Sequence, residues 1–170
     1  LFFLPMALIY HELLLHIFDR SIPFWDLSLV YILLFSAAAG LLLSALVDML
    51  PRKAAHVVTY VLCAAWTVLT CIEYCCKSYF KTYFSLSFVT QMTGQVVGDF
   101  FTTMMEIIFT RLPFILLSFL PLAALIVFRR RLLPGKRLSG RVRLLALAGF
   151  AVCQIAGSAL CYTGEYRADY

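Results

Sequence analysis

Charge is what this sequence has least of. Asp, Glu, Lys and Arg make up 14% of its 170 residues, against about 25% in ordinary soluble domains. Hydrophobic residues make up 63%, and the mean hydropathy is +0.92. A soluble core cannot hide that much apolar surface at this length. A water-soluble globular fold is thereby excluded, and a polytopic membrane protein is expected. No basic region precedes the first apolar run, and no small-x-small cleavage site follows it; "DRSIPFWD" comes next. That argues against a signal peptide and for a first spanning helix. Cys63, Cys71, Cys75, Cys76, Cys153 and Cys161 include no Cys-x-x-Cys pair and no Cys/His ligand spacing. Most lie in apolar runs, where Cys behaves as a small hydrophobe. A bridge from Cys75 or Cys76 to Cys161 is the pairing that the topology below would best allow. The chain opens on Leu1 within an apolar run, so it is expected to be a fragment or a processed product.

What is present in quantity is apolar helix. A spanning helix needs about 20 apolar residues, and five segments approach that: 1–18, 27–49, 55–76, 112–128 and 142–163. Pro51 and Pro134 follow the second and fourth, where a helix can stop, and Pro121 lies within the fourth and should kink it. Ser36, Gly40 and Ser44 recur at four-residue spacing, as do Gly149, Cys153 and Gly157. Small residues on one stripe let helices approach closely in lipid. The expected fold is all-α, with five transmembrane helices.

The loops set the orientation. "PRK" after the second span is basic, and the stretch from Arg129 to Arg143 carries seven of the fourteen Lys and Arg residues. Both strongly basic loops, including 129–141, are expected on the cytoplasmic side. The N-terminus is then inside, the C-terminus outside, and residues 77–111 on the outer face. A basic loop between two spans orients the protein and touches lipid; nucleic-acid binding would need a soluble basic fold, and none is expected.

Residues 77–111 are too polar to span and too apolar to float free. Phe84, Phe88 and Met92 recur at four-residue spacing, and Phe100, Phe101, Met104 and Met105 form a second stripe beyond Gly98. Two short amphipathic interfacial helices are expected, broken near Gly94 and Gly98. Tyr74, Tyr79 and Tyr83 with Lys77 and Lys81 fit an aromatic and basic belt at the interface. Such a belt either anchors the bundle or offers a platform for lipid head groups or a soluble domain.

"YHELLLHIF" at 10–18 resembles a zinc-protease signature, but the spacing fails. His11 and His16 are five apart, which turns them about 140° from one another on a helix. The zinc motif needs a spacing of four. Glu12 and His16 are four apart and share a face. Both fall in the outer half of the first span, and Glu73 sits at a similar level on the third. Ionisable groups at membrane depth are costly and mark a function or a buried partner. Glu12 either pairs with His16, or with a Tyr or Ser on a neighbouring helix, or helps to line a head-group pocket. Asp48, beside Arg52 and Lys53, is explained by a local ion pair.

The order of these parts carries a family resemblance. The first span holds "PMALIYHELLLHIF", the segment "YFKTYFSLSFVTQMTGQVVGDFFTTMMEIIFTRLP" joins spans three and four, and the chain leaves the last span as "CYTGEYRADY". Over essentially its whole length the chain resembles the N-terminal membrane domain of the lipoteichoic acid synthase family, within the alkaline-phosphatase-like sulfatases. The resemblance implies a bacterial cell-membrane protein. Its parent would transfer glycerol phosphate from phosphatidylglycerol to a growing envelope polymer outside the cell. It also implies a C-terminal outer catalytic domain with a threonine nucleophile and a manganese-type metal site, both beyond these residues. No catalytic residue, metal or cofactor is therefore assigned within the segment. Related phosphoethanolamine transferases share a five-span domain, so the transferred group stays open. Glu12, His16, Glu73, Tyr74, Lys77, Tyr79, Lys81 and Tyr83 are the candidates for contact with a lipid head group. Two other classes compete: a small transporter or channel subunit, which the lack of an evident internal repeat weakens, and a non-catalytic accessory protein of the membrane.

Overall fold

The computed structural model describes residues 3–18, 27–80, 105–106, 108–133 and 139–163. The described residues are helical almost throughout. Helix α1 is Phe3–Phe18, α2 Leu27–Met49, α3 Arg52–Phe80, α4 Leu112–Ser118, α5 Leu120–Val127, α6 Arg129–Leu132 and α7 Gly140–Thr163. Three stretches are long and apolar enough to cross a membrane: Leu29–Met49, Arg52–Ser78 and Gly140–Leu160. Phe3–Phe18 and Leu112–Val127 are shorter apolar helices of 16 residues, about 24 Å of rise each.

Two of the expected boundaries move. Helix α3 runs from Arg52 to Phe80 rather than over 55–76. The carbonyl of Pro51 accepts the N–H of Ala55 at 2.8 Å, so the helix starts directly after the proline, where no N–H is missed. At its far end Lys77, Ser78 and Tyr79 belong to this helix. The segment expected to form interfacial helices, including Lys81, Tyr83, Phe84, Phe88, Met92, Phe100, Phe101 and Met104, lies outside the described residues. At its close Met105 and Glu106 are exposed, and Thr110 donates to the carbonyl of Glu106 at 2.8 Å.

At Pro121, where a kink was expected, the chain divides into α4 and α5 around Phe119, but Phe119 keeps right-handed helical backbone angles and the N–H of Ala123 still donates to its carbonyl at 2.9 Å. Both halves begin on a proline placed in the first turn, Pro113 in α4 and Pro121 in α5. There the absent N–H costs nothing within the new helix. It does remove the bond that Pro121 would return to the carbonyl of Leu117.

Successive passes alternate in direction. Tyr74 meets Phe114 and Tyr60 donates to the carbonyl of Leu125 at 3.4 Å, so α4 and α5 descend along α3. Asp48 meets Arg143 and Phe35 meets Gly157, so α7 runs antiparallel to α2. Helix α1 packs on α2 and also reaches α3 and α4, whereas α7 packs on α2. Both small-residue stripes are helix contacts. A Cβ on Gly40 would collide with the backbone of Pro5, and one on Gly157 would lie 2.9 Å from Phe35 Cζ. Asp48 and Arg143 Nε stand 3.4 Å apart, an ion pair across helices that the sequence reading did not include.

Helix α3 is amphipathic in the sense opposite to a soluble helix. Thr59, Cys63, Thr67, Thr70 and Tyr74 are buried, while Val57, Val61, Val68, Leu69 and Ile72 are exposed. Leu144, Leu145, Val152 and Ile155 are likewise exposed on α7. The hydroxyls of Thr59, Thr67 and Thr70 donate to the carbonyls of Ala55, Cys63 and Trp66, each four residues back. Threonine hydroxyls turned inward and satisfied, with apolar groups turned outward, are what hydrocarbon surroundings demand.

Candidate functional site

Two polar groupings lie where α1, α3 and α4 meet, one at mid-helix and one at the ends. The mid-helix grouping centres on His11, which is 1% exposed. Its Nδ1 lies 2.7 Å from the carbonyl oxygen of Ala7, on its own helix. Its Nε2 lies 3.2 Å from Thr67 Oγ1 on α3 and 3.1 Å from the carbonyl oxygen of Ser118 on α4. Next to it, the hydroxyl of Tyr10 donates to the carbonyl of Leu117 at 2.9 Å. That is the carbonyl deprived of a donor by Pro121. Two consecutive side chains of α1 thus meet two consecutive carbonyls just before Pro121.

The second grouping is at the end of the bundle where α3 leads into residues 81–104. An aromatic cluster forms its floor. Tyr74 and Phe114 stack with ring centres 3.8 Å apart, and Phe18 meets both edge-on, at 6.0 and 5.3 Å. Leu14 completes the cluster from α1. The Arg111 guanidinium lies 5.7 Å from the centre of the Tyr74 ring, with Nη1 3.4 Å from the Tyr74 hydroxyl. Stacking on Phe114 fixes the ring, and the ring in turn steadies the cation.

The sequence-selected residues divide around this floor. Glu12 on α1 and Glu73 on α3 come within electrostatic reach of one another, and Glu73 is within reach of Lys77 one turn on. The contacts of His11 with Thr67 and of Phe18 with Tyr74 set Glu12 more than a turn from the level of Glu73 along α3. His16 is buried on α1. Tyr74 and Lys77 belong to the same end of α3; the side chain of Tyr79 lies outside the described residues, as does that of Cys161. Cys63, Cys71, Cys75, Cys76 and Cys153 are free thiols. Among the described residues no group of three His, Cys, Asp or Glu side chains could hold a metal ion.

Sequence reasoning missed His11, Thr67, Ser118 and Arg111. His11 was considered only as a metal ligand. The signals that could have found the grouping were the hydroxyl periodicity of α3 and the proline at 121, whose freed carbonyls require donors. No protein family, no curated protein and no solved structure matches the chain.

Proposed function

We propose that the chain is a five-span membrane domain, with N-terminus cytoplasmic and C-terminus outside, that anchors an outer-face transferase and holds its lipid substrate. In this reading the two 16-residue helical passes, α1 and α4–α5, also span, the bilayer adjusting to their length. The transferase moves phosphoglycerol, or a related phospho group, in cell-envelope synthesis. Its nucleophile and divalent metal belong to a C-terminal outer domain of the parent protein, as the family resemblance implies. The observation that carries the reading is the meeting of Glu73, Lys77, Tyr74 and Arg111 at one end of α3 and α4, with Glu12 of α1 within electrostatic reach of Glu73. Charges of both signs on an aromatic floor suit a head group that carries a phosphate and hydroxyls. The phosphate takes the cations and the hydroxyls donate to the carboxylates. The exposed apolar faces of α3 and α7 are then in contact with acyl chains.

The test is lipid retention by the chain in nanodiscs, read by native mass spectrometry with phosphatidylglycerol against phosphatidylcholine. Selective retention of phosphatidylglycerol is expected, lowered by Arg111→Gln and by Glu12→Gln with Glu73→Gln. Equal retention of both lipids in the wild type would remove the substrate role and leave an anchor. In the full-length parent, unchanged lipid turnover at normal protein level after both Glu substitutions would take these acids out of the pocket.

A further inference from the structure

His11 stands apart from the head-group site, and its ring is surrounded by acceptors. A carbonyl oxygen only accepts, so Nδ1, 2.7 Å from the Ala7 oxygen, carries a hydrogen. A neutral ring then has a bare Nε2. Among the described residues the donor within its reach is the Thr67 hydroxyl, at 3.2 Å. In that state the Ser118 carbonyl faces Nε2 lone pair to lone pair. A ring protonated on both nitrogens reverses the arrangement. Nε2–H donates to the Ser118 oxygen at 3.1 Å, and the Thr67 hydroxyl turns to the Cys63 carbonyl at 2.9 Å. The two states thus differ in whether α1 holds or repels the carbonyl of Ser118, in the turn that Pro121 weakens by its missing N–H.

We propose that His11 is a proton-operated latch on the hinge between α4 and α5. A proton taken from solvent at Nε2 ties the Ser118 carbonyl to α1. Its return to solvent frees that carbonyl and lets α5 move relative to α1. Tyr10, through the Leu117 carbonyl, is the constant tie beside the switched one. The ionisable groups nearest this contact along the packed helices are Tyr10, Glu12 and His16 on α1, Tyr31 on α2, and Cys63, Cys71 and Glu73 on α3. Cys71 lies beside Ser118. The stretch Leu112–Val127 carries no ionisable side chain, so the hinge itself has no charge to answer with.

The test uses the whole chain in phosphatidylcholine nanodiscs with 15N-labelled histidine rings. The chain has three histidines, and His16→Gln and His56→Gln assign the spectra. The pH is taken from about 8 to about 5, the range in which histidine changes charge. Nδ1 should carry hydrogen throughout, and Nε2 should gain it as pH falls. Over the same midpoint, amide protection of residues 120–127, corrected for intrinsic exchange, should rise roughly tenfold, the scale of one charge-assisted hydrogen bond. Thr67→Val removes the donor of the neutral state and should move the midpoint to higher pH. His11→Gln should flatten the protection change; if that variant fails to fold, the wild-type spectra and Thr67→Val decide. A neutral ring with its hydrogen on Nε2 would overturn the proposal. So would a ring that does not titrate in this range, a titration without change in protection, or an unmoved midpoint in Thr67→Val.

Discussion

Replacing Gly40 by Ala should part α1 from α2. The added Cβ would lie 2.7 Å from Pro5 N and 2.9 Å from Pro5 Cβ, with Pro5 Cα nearer still. These are backbone and ring atoms, so no side-chain rotation relieves the clash. Restoring ordinary contact at about 3.5 Å requires the helices to separate by about 1 Å. Overpacking of this kind costs about 1–3 kcal/mol. In a soluble helix the change from Gly would return about 1 kcal/mol of helix propensity. In a bilayer the dissociated helix keeps its backbone hydrogen bonds, so little of that is recovered. Two other glycines calibrate the result. A Cβ on Gly149 meets Leu41 Cδ1 at 3.2 Å, the movable tip of a side chain, so Gly149→Ala should be within about 0.5 kcal/mol of wild type. Gly157→Ala, facing the Phe35 ring at 2.9 Å, should fall between. Steric-trap unfolding in bicelles gives each free energy. If Gly40→Ala proves as stable as Gly149→Ala, the close approach of α1 to α2 is wrong.

Tyr10→Phe should cost about 1 kcal/mol, because it strips the Leu117 carbonyl of its donor from α1 while leaving the ring; the same unfolding measurement reads it. Pro121→Ala restores an N–H opposite that carbonyl, so it should straighten α4 into α5 and lengthen the protected helical run in amide exchange. Phe114→Ala empties the aromatic floor and should cost about 2 kcal/mol, less than in a water-soluble core, since lipid is as apolar as the site it leaves. It should also loosen Arg111, seen as weaker phosphatidylglycerol retention. A double-mutant cycle on Asp48→Asn and Arg143→Gln should give a coupling of about 1 kcal/mol or less, because Arg143 keeps partial access to solvent.

Much of the fold was legible because a bilayer constrains a chain one segment at a time. Each spanning helix satisfies its backbone internally, so the apolar run from Leu27 to Met49 announces its own limits, and α2 matches them. Pro121 announced an irregularity for the same local reason. The glycine and serine stripes announced close contacts but not with which helix. Counting turns set Glu12 and Glu73 at a similar level, whereas the register of α1 on α3 leaves them more than a turn apart. Length alone misled at α3, where Lys77, Ser78 and Tyr79 continue the helix instead of opening the next segment.

By itself, then, the sequence determined helical class, the apolar helices and the irregularity at Pro121, all consequences of interactions within about one helical turn. What only the tertiary structure decided is which polar groups satisfy one another. His11 is separated from Thr67 by 56 positions and from Ser118 by 107, and nothing local joins them. Arg111 gains its hold on Tyr74 from 37 positions away. In surroundings without water a buried donor must find an acceptor on another helix, and the packing of α1, α3 and α4 chooses which.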